Sequence, residues 1–180
     1  MKKSTFSIFI VLCFCILLFL GWHCISTVQI LNQSDLHDYI TQKTESKEGQ
    51  IRVDAVDRKN NFLAALYDKG NEAKLIILER DLIFPDRYRY FGEGSGGSEI
   101  ETYNYQEGTR DGQQSLIIVY GDNTKLGAAS YQFTNSGRMY SKQNLGRYVL
   151  DIYWIKHATD QSDKGFVYNK NGNKICAINE

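Results

Sequence analysis

The stretch Phe62-Leu63-Ala64-Ala65-Leu66-Tyr67-Asp68-Lys69-Gly70-Asn71-Glu72-Ala73-Lys74-Leu75-Ile76-Ile77-Leu78 decides the fold. A continuous apolar segment, 62–67, runs into Asp68-Lys69-Gly70-Asn71, residues that accept positive φ, and a second apolar segment returns over 73–78. That is the pattern of a β-hairpin. Upstream, Ile51, Val53 and Ala55 alternate with Arg52 and Asp54, the mark of a half-buried strand, and Asn60-Asn61 makes the turn into 62–67. Downstream, Pro85 interrupts the chain before a strand at 87–91. Further strands are expected at 99–105, 115–120, 127–134, 138–142, 147–155, 166–168 and 174–178, with short turns such as Gly121-Asp122-Asn123, Asn135-Ser136-Gly137 and Asn171-Gly172.

About ten strands with no intervening helix and mostly tight turns imply antiparallel pairing, because a parallel pair needs a crossover of a dozen residues or more. The fold class expected is mainly β: an N-terminal transmembrane helix, a short helical stem, then one antiparallel β-meander domain, built as an open barrel, a sandwich or a strongly twisted sheet. An internal echo, apolar-Tyr-turn-Lys-apolar, occurs at Tyr67/Lys74, Tyr120/Lys125 and Tyr168/Lys174. Reused hairpin chemistry explains it more cheaply than a true repeat, since three blades cannot close a propeller.

At the N-terminus, Lys2 and Lys3 precede an unbroken apolar run from Ile8 to Leu20, and no Asp, Glu, Lys or Arg follows until Asp35. The uncharged stretch from Ser4 to Trp22 has the length that crosses ~30 Å of hydrocarbon. Lysines before it and none after orient the N-terminus inside, with Trp22 at the outer headgroup level. The chain therefore divides into 1–24 as membrane anchor or signal segment, 25–49 as stem or short helix, and 50–180 as an extracytoplasmic β domain. Cleavage after Ser26 would instead release a secreted form, given the small residues Cys24 and Ser26. Ser34-Asp35 is the expected helix N-cap, and Leu36, Tyr39 and Ile40 form an apolar stripe too small to fold alone, so it docks on the sheet or remains a partly ordered stem.

Composition narrows the function classes. Hydrophobic residues at 42% and charged residues at 23% exclude wholesale disorder. Lys+Arg 21 against Asp+Glu 21 removes the electrostatic case for a nucleic-acid partner. With Lys2 and Lys3 inside, the outer part is mildly acidic, about −2. No Cys-x-x-Cys pair offers zinc ligands, and Cys176 is expected on a strand's buried face rather than bonded to Cys24. No cofactor is implied.

The glycine-rich segment Gly92-Glu93-Gly94-Ser95-Gly96-Gly97-Ser98 is read as a hairpin loop, since no helix follows it to face an anion. Tyr88/Tyr90 and Tyr103/Tyr105 are i, i+2 pairs on either side of it, and antiparallel pairing would gather them into one aromatic patch. Asp54 and Asp57 point to opposite faces unless the strand bulges, while Asp151 shares a face with Val149 and Tyr153 and is expected either to bond a tyrosine hydroxyl or to face solvent. The expected role is binding, not catalysis: an anchored protein that holds an envelope protein, a peptide or wall glycan near the membrane. Its contact residues would be Tyr88, Tyr90, Gly94, Gly96, Gly97, Tyr103 and Tyr105. The alternative is an immunity or inhibitor protein against a secreted enzyme or toxin. A hydrolase-type enzyme using Asp151 is the lesser reading.

Overall fold

A computed structural model describes residues 2–47, 49–69, 72–95, 99–109, 112–156 and 165–178. Helix α1 (Lys2–Ser26) contains one stretch, Ile8–Ser26, of 19 residues that is long and apolar enough to cross a membrane and has none of its length buried in the protein. Helix α2 (Gln33–Lys43) is capped two residues before the expected Ser34. Asn32 is the N-cap, and its side chain accepts from the Asp35 N–H at 3.0 Å while the Asp35 carboxylate accepts from the Asn32 N–H at 3.2 Å. This reciprocal box satisfies donors that a start at Ser34 would leave open.

The remainder is antiparallel throughout. A first sheet holds β1 (Val28–Gln29), β2 (Ile51–Lys59), β3 (Phe62–Lys69), β4 (Glu72–Arg80) and β5 (Arg87–Gly94) in the order β1-β5-β4-β3-β2. A second holds β6 (Ile100–Thr109), β7 (Gly112–Asp122) and β10 (Tyr148–Lys156) in the order β10-β7-β6. A third holds β8 (Ser130–Asn135), β9 (Arg138–Gln143), β11 (Phe166–Tyr168) and β12 (Lys174–Ala177) in the order β12-β11-β8-β9. Strands β2 and β10 run side by side, with the Ile152 N–H donating to Asp57 Oδ2 at 3.0 Å across the seam, so the first two sheets curl into a half-barrel.

Three apolar layers follow from this stacking. Phe62, Ala64 and Leu66 of β3 and Leu75 and Ile77 of β4 face Leu116, Ile118, Leu150 and Ile152 inside the half-barrel. Their neighbours Leu63, Ala65, Ile76 and Leu78 face the other way, onto Leu36 and Ile40 of α2. Ile117, Val119 and Val149 meet Tyr131, Phe133 and Val167 of the third sheet. Strands β3, β4 and β7 are thus covered on both faces. Their sequences are unbroken apolar runs for that reason, not alternating ones.

The stem is no free stalk: β1 pairs with β5, and α2 is pinned by His37 Nε2 at 3.0 Å from the Ile51 carbonyl oxygen and by Lys69 Nζ donating to the Thr44 carbonyl at 2.9 Å. Two expectations are corrected here. Gly92 and Gly94 belong to strand β5, not to a hairpin loop, and β5 does not pair with β6. One edge of β5 is hydrogen-bonded to β4 and the other carries β1 at Arg87 and Tyr88, while β6 is taken up along its whole length by its hairpin with β7. Of the tyrosine echoes, Tyr67 sits opposite Lys74 and Tyr168 opposite Lys174 in true hairpins, but Tyr120 and Lys125 are not paired across a ladder.

Candidate functional site

The tyrosine pairs do not form one patch. Tyr88 is buried in the layer beneath α2, and Tyr90, on the same outer face, is 39% exposed with Lys43 Nζ 4.2 Å from its ring centroid. Burial, followed by the charge of Glu93, raises the Tyr90 hydroxyl pKa. Tyr103 and Tyr105 point inward, packed on the half-barrel core, where Tyr105 meets Phe91 edge-on at 4.8 Å. The glycines of β5 explain this arrangement. A Cβ on Gly92 would lie 2.6 Å from the Tyr103 hydroxyl, and one on Gly94 would lie 2.5 Å from the Tyr120 hydroxyl. Glycine here makes room for rings, the usual meaning of glycine inside a strand. Gly96 and Gly97 lie outside the described residues.

The carboxylates of the lesser reading are separately engaged. A bulge between Val53 and Ala55 turns Asp54 onto Arg52, whose Nε donates to it at 2.6 Å, while Asp57 bonds across the seam to β10. Burial and the neighbouring Asp54 charge raise the pKa of Asp68, which shares Arg52. Asp151 accepts from the Tyr131 hydroxyl at 2.8 Å and is ion-paired with Lys142, and Tyr131 in turn touches the Tyr153 hydroxyl at 2.6 Å. Among the described residues no group of three or more His, Cys, Asp or Glu side chains is placed to hold a metal ion.

A cleft of about 600 Å³ opens where three strand ends meet. The end of β2 contributes Lys59, β9 contributes Arg138 and Tyr140, and the end of β10 contributes Trp154 and Lys156; no carboxylate is among the described residues that line it. Its aromatic walls are braced from behind. Trp154 stacks on Phe62 at 5.5 Å, and Tyr140 stacks on Phe133 at 5.1 Å. The three cationic side chains are exposed at the rim. Braced rings with exposed cations around them suit an anionic ligand that also offers a flat apolar face. Sequence reading missed this cleft because its residues are far apart along the chain and only the strand registers collect them. The available signal was a Lys or Arg at the end of each of three strands.

A second cluster joins α1 to the body. Arg87 donates through Nη2 to the carbonyls of Cys24 and Thr27 at 2.6 and 2.7 Å, and through Nε to Thr27 Oγ1 at 2.7 Å. His23 Nε2 lies 2.6 Å from Asp81 Oδ2, and the His23 ring stands 5.7 Å from that of Phe84. Burial pushes the Asp81 carboxyl up, but the His23 ring and the N–H groups of Phe84 and Ile83 outweigh it and hold the group at about 2.

A depressed carboxylate stabilises the fold above its unfolded value and loses that contribution as pH falls through its folded value. The stability gap between wild type and Asp81→Asn should therefore be level near pH 5, narrow below the ordinary value of 3.8 and close near 2. Denaturant unfolding of both proteins in micelles at stepped pH measures it; a gap unchanged between pH 5 and 2 would contradict the junction.

Comparison of the chain with protein-family models, with curated proteins and with solved structures finds no match.

Proposed function

We propose that the chain is a membrane-anchored binding protein whose β body stands outside the cytoplasm and takes an anionic wall glycan in the Lys59–Arg138–Lys156 cleft. One observation carries this reading: three exposed cations and two braced aromatic rings line a cavity with no carboxylate among its described walls. Sugar rings stack on aromatic faces, and phosphate or carboxylate substituents meet the cations. The orientation rests on Lys2 and Lys3 before the apolar stretch and no charged residue between it and Asp35. Retention of the anchor is favoured over cleavage after Ser26, because His23 and the Cys24 carbonyl, on the anchor side of that bond, are held to the body by Asp81 and Arg87.

The test is equilibrium binding of the full chain in lipid nanodiscs to anionic wall glycan, to its neutralised form and to an acidic peptide. Each of Lys59→Ala, Arg138→Ala and Lys156→Ala should weaken anionic-glycan binding about fivefold to tenfold, with affinity falling as salt rises. Wild-type affinity in the triple variant, or equal binding of the neutralised polymer, would defeat the proposal. Preference for the acidic peptide would replace the glycan with a protein partner. The inhibitor alternative finds less support, since carboxylates at the opposite end of the sheets are paired: Asp54 and Asp68 with Arg52, Glu72 with Lys74, and Asp122 with Arg147.

A further inference from the structure

The loop between β4 and β5 leaves large aliphatic side chains bare. Leu82 is 80% exposed and Ile83 is 51% exposed, although the backbone around them is firmly held. Asp81 Oδ1 accepts from the N–H groups of Ile83 and Phe84 at 2.8 Å each, and the Arg87 N–H donates to the Phe84 carbonyl at 2.9 Å. The exposure is therefore built in by a rigid turn.

Its location gives the exposure a meaning. Asp81 and Phe84, on either side of Leu82 and Ile83, both contact His23 in the last turns of α1. Leu31 is 64% exposed and follows Ile30, whose N–H donates to the Asp86 carbonyl at 3.0 Å, so it borders the same loop. Ile25, 83% exposed, and Trp22, 73% exposed, complete an apolar rim around the point where the helix joins the body. The Ile8–Ser26 stretch is 19 residues, about 28 Å of helix, close to the hydrocarbon thickness of a bilayer. Its last turns then stand at the boundary between acyl chains and headgroups, and a loop fastened to His23 stands at that depth too.

We propose that the Leu82–Phe84 loop is a second membrane contact, with Leu82 and Ile83 lodged in the acyl boundary of the leaflet from which α1 emerges. The occupant of this surface is lipid. The inference rests on the reading of α1 as a membrane anchor. Together, α1 and the loop hold the body at two points and fix the β4–β5 end against the bilayer. The Asn60–Asn61 turn, next to Lys59, lies at that same end, since the Arg80 N–H donates to the Asn61 carbonyl at 2.5 Å. The basic cleft consequently opens close to the lipid surface.

Spin-label accessibility tests this on the full chain, with its native cysteines replaced and the protein in phosphatidylcholine–phosphatidylglycerol vesicles. Labels go singly at Leu82→Cys and Ile83→Cys, at Leu17→Cys in the helix, and at Glu72→Cys in the opposite hairpin. Labels at 82 and 83 should collide with oxygen as the label at 17 does, and meet a water-soluble nickel chelate about fivefold less than the label at 72. Nickel access at 82 and 83 equal to that at 72, with position 17 still in lipid, would overturn the loop proposal alone. Nickel access at 17 would overturn the anchor and the loop together. A Leu82→Trp variant quenched by brominated lipid gives the same answer without cysteine replacement, and absence of added quenching counts against the loop.

Discussion

Gly121→Ala is expected to abolish folding of the β body or to cost about 4 kcal/mol or more, a large part of the 5–15 kcal/mol that holds a typical domain together. Gly121 lies in β7, opposite Ile100 of β6 and Val149 of β10, with φ +153. A Cβ there would sit 2.1 Å from the Glu99 carbonyl oxygen and 3.0 Å from its carbon. These are backbone atoms of a neighbouring segment and cannot rotate away as a side-chain tip can. Relief requires β6 to separate from β7 at the start of their ladder, where Ile100 is fully buried between the second and third sheets. Gly108→Ala is the matched control, since nothing lies within 4 Å of a Cβ at that position. It should change stability by no more than about 0.5 kcal/mol. Unfolding midpoints by tryptophan fluorescence in micelles compare the two, and a Gly121→Ala midpoint equal to wild type would refute the register of β6 on β7.

Leu63→Ala and Leu66→Ala should each cost about 3 kcal/mol, within the range for deleting a buried leucine where the cavity does not collapse. Both side chains are 0% exposed, but they point in opposite directions, Leu63 toward α2 and Leu66 into the half-barrel. A sheet with one solvated face would suffer from one substitution and tolerate the other. Equal, large losses are the signature of a strand covered on both sides. Arg58→Ala, exposed on β2, should stay within about 0.5 kcal/mol. Denaturant titration of the three variants settles the matter: a Leu63→Ala loss below about 1 kcal/mol would mean that α2 does not cover the sheet.

Much of the architecture was legible. The 62–67 and 73–78 segments pair as read, and Leu36 and Ile40 dock on the sheet, one of the two outcomes their stripe allowed. Of the two outcomes open for Asp151, the structure takes the tyrosine hydroxyl, and Cys176 packs at the edge of the apolar layer under the third sheet. The candidate site was far less legible. Of the residues nominated for contact, Tyr88 is buried and Tyr103 and Tyr105 turn inward, because their strands belong to different sheets. A pairing between neighbours in sequence is a fair expectation, but β6 pairs with β7 over its full length, and β1 takes the edge of β5 at Arg87 and Tyr88.

Run length, period and turn chemistry are properties of neighbours along the chain, so the sequence alone determined the apolar helix, the strands and their antiparallel sense. Sheet membership, the facing of each tyrosine and the gathering of Lys59, Arg138 and Lys156 around one cleft were decided only by the tertiary structure. Each of these depends on which strand edges and faces are still unpaired after the nearer hairpins have closed, and that is a property of the whole packed molecule rather than of any segment.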